Sequence, residues 1–510
     1  MILREMYFLH TILRLLCLPL IYNVAENADL LISVDPDRQM LIDSLGRERF
    51  FHGTNVVYKD PPFHPEIEGY GPNTYWEGDM KLMQSLGLNS VRLGMMMPGF
   101  VPAQNEYNAT YMDIMQTIVK KSAEYGIYIL LDMHQDVFSP KFCVEGMPDW
   151  ITKAEDYGAF PYPLTDQPFP IDPKTGYPQT EYCRKFLWSD YYFTHAASQA
   201  FQNLYSNKYN LLDGWADFWK NTAAAFEKVN NVIGYELINE PFCGDIYKNP
   251  KLIVPGVADR VNLEPAYDVL QRAIRSVDEN HIIFFEGVTW DFFEVGFTKV
   301  PGGAKYSNRS VLSYHYYEPP DFDKKLNFLA RKQDLERLRC GGFMTEFLTC
   351  ENNFADMFEM MDLSDKHMQS WHGWSYKPYG VSDPNAPGFN NTKASKTGFM
   401  HKFDGSLDDI LVQNTSRTYP QAVAGKTQRF QFDRESKWFM LSYITIASCK
   451  STRTEVYFNK KLHYSNGYHL EYAPKSHLKV SESDNGFLLL IDHDADLPTG
   501  SEIYFEITAM

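Results

Sequence analysis

Two glutamates each close an apolar run, where a carboxyl is well placed for acid–base or nucleophilic chemistry. Glu240 closes the apolar run Ile233-Gly-Tyr-Glu-Leu-Ile-Asn-Glu-Pro241, beside an amide side chain and under a helix-breaking proline. Glu346 closes a second apolar run, Gly342-Phe-Met-Thr-Glu346-Phe347. Two carboxyls facing one another across a cleft can hydrolyse a glycosidic bond: one protonates the leaving oxygen and the other attacks the sugar or activates water. A single glutamate at a strand end serves equally well as a salt-bridge partner. The weight of the reading therefore rests on the matched pair.

For the pair to meet, the chain must bring two distant strand ends to one place. Strand-like apolar runs lie at residues 50–55, 90–93, 127–132, 232–237, 282–286, 311–315, 343–346 and 373–376. Helix-length amphipathic stretches at 75–86, 111–125, 215–229, 266–277 and 354–369 alternate with them, and Gly87-Leu88-Asn89 reads as a helix stop and turn. Such alternation implies a parallel sheet, and eight units suit a (β/α)8 TIM barrel, whose active face lies at the strand C-terminal ends. Glu240 and Glu346 would end its fourth and seventh strands. No GxGxxG follows the first strand, which argues against a dinucleotide-binding sheet. A long excursion rich in proline and aromatic residues, 137–207, separates the third and fourth strands, and loops of this length are usually functional. Beyond residue 390 short β-rich runs alternate with turns such as Ser465-Asn-Gly and Asp484-Asn-Gly, the pattern of a β-sandwich. The expected organisation is a leader over 1–25, a catalytic barrel over 26–390 and a C-terminal β-sandwich over 391–510 that packs against the barrel, with glycan binding the alternative role for that module.

The combination of Asn239-Glu240-Pro241 with Glu346 resembles the retaining barrel glycosidases of glycoside hydrolase family 5. Arg92 in Ser-Val-Arg-Leu-Gly, His134 in Leu-Asp-Met-His-Gln-Asp, His315-Tyr316-Tyr317 and Trp374 fall where that family keeps active-site residues. Gly53-Thr-Asn-Val-Val-Tyr-Lys59, Met133-His-Gln-Asp136-Val-Phe-Ser, Gly373-Trp-Ser-Tyr-Lys and the β-rich C-terminal module resemble the endoglycoceramidases, which release the intact glycan of glycosphingolipids from ceramide. The resemblance implies Glu240 as general acid/base and Glu346 as nucleophile, ionised and held by Arg92 and Tyr317, with Tyr316 the competing tyrosine. It implies Asn239 on the sugar 2-hydroxyl, Trp374 under the sugar ring, Lys59, His134 and Asp136 on the hydroxyls of the first sugar, and His315 supporting the acid/base. A β-glucosylceramidase or an endo-β-1,4-glucanase is the alternative within the class, and an inactive carbohydrate-binding protein the alternative outside it. No HExxH or His/Asp ligand cluster is present, so no metal or cofactor is expected.

Composition adds context. The 510 residues carry a net charge of −17, which disfavours nucleic-acid binding, and aromatic residues reach 15%, an excess that fits sugar or lipid contact. Exposed apolar groups at Met95-Met-Met-Pro-Gly-Phe100, Phe138 and the excursion are expected to hold ceramide chains and touch micelles or membranes. Arg4, the apolar stretch 15–22 and Asn23-Val24-Ala25 read as a secretory signal, implying secretion or endolysosomal delivery. Cys17 would leave with that leader, and the remaining six cysteines suit an oxidising compartment. Cys143 with Cys183 is the expected pair, since it would staple the excursion. Sequons at Asn108, Asn308, Asn390 and Asn414 support the same route. The sequence leaves the oligomeric state open.

Overall fold

The computed structural model describes residues 29–289, 293–318, 321, 323–347, 354–377, 379, 400–402 and 406–510. The expected leader, Cys350, Asn390 and the domain boundary at 390 lie outside these residues.

Eight parallel strands close into a barrel: β1 His52–Val56, β2 Ser90–Gly94, β3 Tyr128–Asp132, β4 Val232–Glu236, β5 Ile282–Glu286, β6 Ser310–Tyr316, β7 Gly341–Phe347 and β8 Ser370–Gly373. Nearly every residue of these strands is buried, as expected where helices cover one face and the barrel interior the other. Helices α1 Glu77–Leu86, α2 Ala109–Ala123, α3 Leu211–Phe226, α4 Glu264–Arg275, α5 Lys324–Leu338 and α6 Phe354–His367 run outside. In α3 the apolar stripe Trp215, Phe218, Trp219, Thr222, Ala223 and Phe226 is buried at helical spacing. Gly87 stops α1 with φ +79°, and the Leu88 amide donates to Met83 at 2.9 Å. A Cβ at Gly87 would also fall 2.4 Å from the Tyr457 ring, so glycine is needed there twice over.

Two corrections concern strand placement. The eighth strand occupies 370–373 rather than 373–376, which leaves Trp374 on the turn that leaves the barrel mouth. Residues 32–49, expected within the barrel domain, form three short strands, Ile32–Asp35, Met40–Asp43 and Glu48–Arg49, that pair instead with the C-terminal module. There they extend Tyr419–Val423, Arg453–Tyr457, Leu488–His493 and Leu478–Glu482 into a seven-stranded antiparallel sheet. A four-stranded sheet of Lys426–Phe432, Phe439–Ile444, Glu502–Ala509 and Tyr468–Ala473 faces it across one shared core, completing the expected β-sandwich.

The same N-terminal hairpin floors the barrel. Ile32, Val34 and Leu41 share a buried cluster with Phe51, Tyr128, Leu130, Ile233, Ile282, Phe284, Val311 and Phe343. The sandwich is joined to the barrel by polar contacts: Tyr419 donates to the Gly87 carbonyl at 2.6 Å, Tyr457 to that of Ser85 at 2.8 Å, and buried Arg417 pairs with Asp365 at 2.6 Å.

The excursion 137–207 is compact. Cys143 and Cys183 form a disulfide that closes 40 residues, as expected. Phe142, Phe160, Phe169 and Tyr191 pack on one another inside it, and Tyr192 packs on Phe201 and Phe242. Met95, Met96, Met97, Phe100 and Phe138 are all buried as well, so that part of the expected lipid-facing surface is not formed, whereas Tyr162, Ile171, Leu187 and Phe193 of the excursion are exposed. The run after β2 turns inward because Phe100 packs against Tyr111 and Phe218 of the helical layer.

Candidate active site

The site grows from Arg92, whose guanidinium lies wholly buried in the barrel mouth. Its Nη1 donates to Glu346 at 2.7 Å and to Asn55 at 3.1 Å. Its Nη2 donates to Asn239 at 2.8 Å and lies 3.0 Å from Asp132, and its Nε pairs with Glu236. One cation thus gathers three carboxylates from the ends of β3, β4 and β7, which lets them coexist away from water.

Glu346 receives a second donor. The Tyr317 hydroxyl reaches its other oxygen at 2.7 Å, while Tyr316 turns away to Glu318, which decides between the two tyrosines. Burial pushes the Glu346 carboxyl upward, and His315 and Arg92 pull against that rise.

Glu240 faces Glu346. His315 Nδ1 lies 2.9 Å from Glu240 and 3.6 Å from Glu346, and one oxygen of each glutamate falls within 4.8 Å of the other. That closeness matches the roughly 5–5.5 Å of a nucleophile pair rather than the roughly 6.5–9.5 Å that makes room for water. Burial first, and Asp136 second, raise Glu240 to about 7 against the pull of His134, Arg92 and Lys59. Its backbone takes φ +41°, an uncommon conformation for a side chain of this size. Partners on both peptide groups hold it there: Glu240 N–H donates to Glu286 at 2.8 Å, and its carbonyl accepts from Gln135 at 2.9 Å and Tyr192 at 3.4 Å.

A second group lies beside the pair. The Trp374 ring stacks on His134, with centroids 5.1 Å apart and planes 12° from parallel, and Lys59 Nζ sits 5.0 Å from its centre. Lys59 pairs with Asp136 and, at 2.8 Å, with Glu145. His134 Nδ1 lies 2.8 Å from Asp132. Burial and Lys59 oppose charge on His134, but Asp132 and Asp136 outweigh them and raise it to about 10. His134, Asp136 and Glu145 converge as metal ligands do, yet the Lys59 ammonium already answers the two acids.

All ten expected site residues therefore meet at one mouth. Sequence reading passed over four acids that meet there too. Asp132 ends β3, Glu236 lies in the same run as Glu240, and Glu286 ends β5, so each carried the strand-end signal that singled out Glu240. Glu145, two residues past Cys143 in the excursion, carried no local signal. Glu286 lies between Glu240 and His315, and burial, then Glu240, then Glu236 raise it well above the usual carboxyl range.

The barrel region, residues 52–380, matches the cellulase domain of glycosyl hydrolase family 5, and residues 417–503 match the glycoside hydrolase family 5 C-terminal domain. An endoglycoceramidase of Hydra vulgaris is 60% identical over 475 residues, 93% of this chain and 89% of that protein. An endoglycoceramidase of Cyanea nozakii is 55% identical over 489 residues, 95% of each. Among solved structures, endo-glycoceramidase II from Rhodococcus sp. in its ganglioside GM3 complex superimposes with a TM-score of 0.71 at 20% identity, covering 92% of this chain and 99% of that one. The likeness to the Rhodococcus structure speaks for the fold, and the two relatives above 50% identity speak for the family. By domain match and by identity along nearly its whole length, this chain belongs to the endoglycoceramidases of glycosyl hydrolase family 5.

Proposed function

We propose that the chain cleaves the β-glycosidic bond between the oligosaccharide and ceramide of glycosphingolipids by double displacement, with Glu346 as nucleophile and Glu240 as general acid/base. The observation that carries the assignment is the asymmetry of the pair. Glu346 accepts from Arg92 and Tyr317, two donors that favour its ionised form. Glu240 is held at about 7 and so keeps a proton near neutrality.

In the first step Glu346 attacks the anomeric carbon, the glycosidic C–O bond breaks, and Glu240 passes its proton to the ceramide oxygen. In the second, Glu240 takes a proton from water, whose oxygen displaces Glu346 and releases the glycan with its β configuration retained. Asn239, its carbonyl oxygen engaged by Arg92 and its amide donating to Gln135 at 3.0 Å, lies beside the 2-hydroxyl position. Trp374 supplies an apolar face for the sugar, and Lys59, His134 and Asp136 bind its hydroxyls. The protein acts after secretion or in the endolysosomal route, reached through the leader of residues 1–25. The Cys143–Cys183 disulfide and exposed sequon sites at Asn108 and Asn308 support that reading.

Incubation with lactosylceramide, a ganglioside, galactosylceramide, glucosylceramide and cellulose, followed by product identification, tests the activity. Intact glycan plus ceramide is the expected result. Release of glucose alone from glucosylceramide would favour a β-glucosylceramidase, and cleavage of cellulose without any ceramide product an endo-β-1,4-glucanase.

A further inference from the structure

Most large apolar side chains exposed among the described residues lie in segments that follow a barrel strand, on the face that carries Glu240. The densest group follows β4 and β5. Ile253 is 62% exposed, Val254 52%, Val261 51% and Phe293 57%. Burying such groups in water-free surroundings is favourable, and exposed apolar clusters of this kind mark interaction surfaces.

The two loops that carry these residues are tied together. Asp259, itself buried, accepts from the amides of Val288 at 2.9 Å and Gly296 at 2.7 Å, tying the loop after β4 to the loop after β5. The two backbones touch at Gly256 and Gly296, where a Cβ on Gly296 would fall 1.8 Å from the Gly256 carbonyl oxygen. Leu252 is buried beneath the tip, and Val254 N–H donates to Lys251 at 3.0 Å, so Ile253 and Val254 are held outward by their own turn. Arg331 donates to the Phe293 carbonyl and fixes the second loop from the side.

The charge pattern completes the surface. Between residues 246 and 261 the exposed charged side chains are Lys248, Lys251 and Arg260; Lys248 pairs with the buried Asp245 at 3.1 Å, and Asp259 is buried. Glu294 on the neighbouring loop is exposed beside Phe293. A basic lip on a chain whose net charge is −17 stands against the overall balance. Apolar tips flanked by cations suit an interface of acyl chains below and anionic headgroups above.

We infer that the ridge of Ile253, Val254, Val261 and Phe293, with Lys248, Lys251 and Arg260, seats the barrel mouth on an anionic lipid surface. The inference rests on the glycolipid reading for its purpose, because a substrate whose ceramide is buried in lipid must be met at that surface. It replaces the buried Met95–Phe100 segment as the place of contact.

The test uses the full chain and two kinds of vesicle, phosphatidylcholine alone and phosphatidylcholine with phosphatidylserine. The wild-type chain is expected to float with the mixed vesicles and much less with the neutral ones. Ile253→Ser with Val254→Ser should weaken flotation about tenfold, and Lys251→Glu about fivefold on the mixed vesicles. Hydrolysis of lactosylceramide within those vesicles should fall in step, while turnover of a water-soluble aryl β-lactoside stays within about twofold. The soluble substrate also reports folding, and its failure with the wild-type chain would count against the glycosidase reading while leaving flotation to decide the ridge. Wild-type chain that floats with neither vesicle, or variants that float and hydrolyse vesicle lipid like the wild type, would overturn the inference.

Discussion

Tyr317 donates its hydroxyl to Glu346 at 2.7 Å from the residue that follows β6, while its neighbour Tyr316 points the opposite way. With Arg92 on the other oxygen, the Glu346 carboxylate is held in one orientation before any substrate arrives.

Glu346→Gln keeps the shape of the side chain and one of its two acceptor oxygens, in a neutral group, but removes the nucleophile. Turnover of glycolipid and of aryl lactoside should both fall by more than about a thousandfold, with thermal stability near that of the wild type. Near-normal turnover would place the nucleophile elsewhere.

Glu240 supplies the basic limb of the pH profile. On glycolipid, kcat/KM should decline above about pH 7 as Glu240 loses its proton. Glu240→Gln should cost about a hundred- to ten-thousandfold on glycolipid. It should form the glycosyl-enzyme readily from a dinitrophenyl lactoside, whose leaving group needs no acid, and azide should then speed its breakdown. If the variant lost both substrates equally, Glu240 would not be the acid.

Glu286 has its carboxyl raised by burial and by the facing Glu240 and Glu236. A carboxyl raised on folding contributes stability below its unfolded pKa near 4.5, and that contribution is lost as pH climbs towards the folded value. Glu286→Gln imitates the protonated form and still accepts the Glu240 amide. Its Tm should match the wild type near pH 4 and exceed it increasingly towards pH 8 in calorimetric scans. A constant difference across that range would mean that Glu286 keeps its charge.

The Cys143–Cys183 bridge closes a 40-residue separation, for which chain entropy gives up to about 4 kcal/mol. Cys183→Ser should lower Tm and sensitise the 143–183 stretch to protease. Because Glu145 lies two residues from Cys143 and pairs with Lys59, KM for glycolipid should rise more than kcat falls. An unchanged KM would separate the staple from the sugar-binding corner.

The barrel could be read from sequence because its strands are short apolar runs bounded by turns, a local pattern. Glu240 and Glu346 were readable as a pair because Asn239-Glu240-Pro241 marks the first beyond its place at a strand end, a place that Asp132, Glu236 and Glu286 share. Other features depended on distant contacts. Met95–Met97 and Phe100 are apolar whether they face lipid or core, and only the position of Tyr111 and Phe218 settles the matter. The eighth strand was displaced by three residues because Trp371 and Trp374 give the same β-favouring signal on either side of Gly373. Glu145 reaches Lys59 only through the folding of the whole excursion, and nothing near it in the chain marks that path.

The hairpin at residues 32–43 closes the floor of the barrel with Ile32, Val34 and Leu41 and continues, through Glu48–Arg49, into the sheet of the C-terminal module. The two domains are therefore not separable cassettes. A fragment cut near residue 390 would keep the catalytic mouth but leave three strands with no sheet to join. Swapping in another barrel would remove part of the sandwich along with it. Recombination, whether in evolution or in engineering, must carry both ends of the chain as one unit.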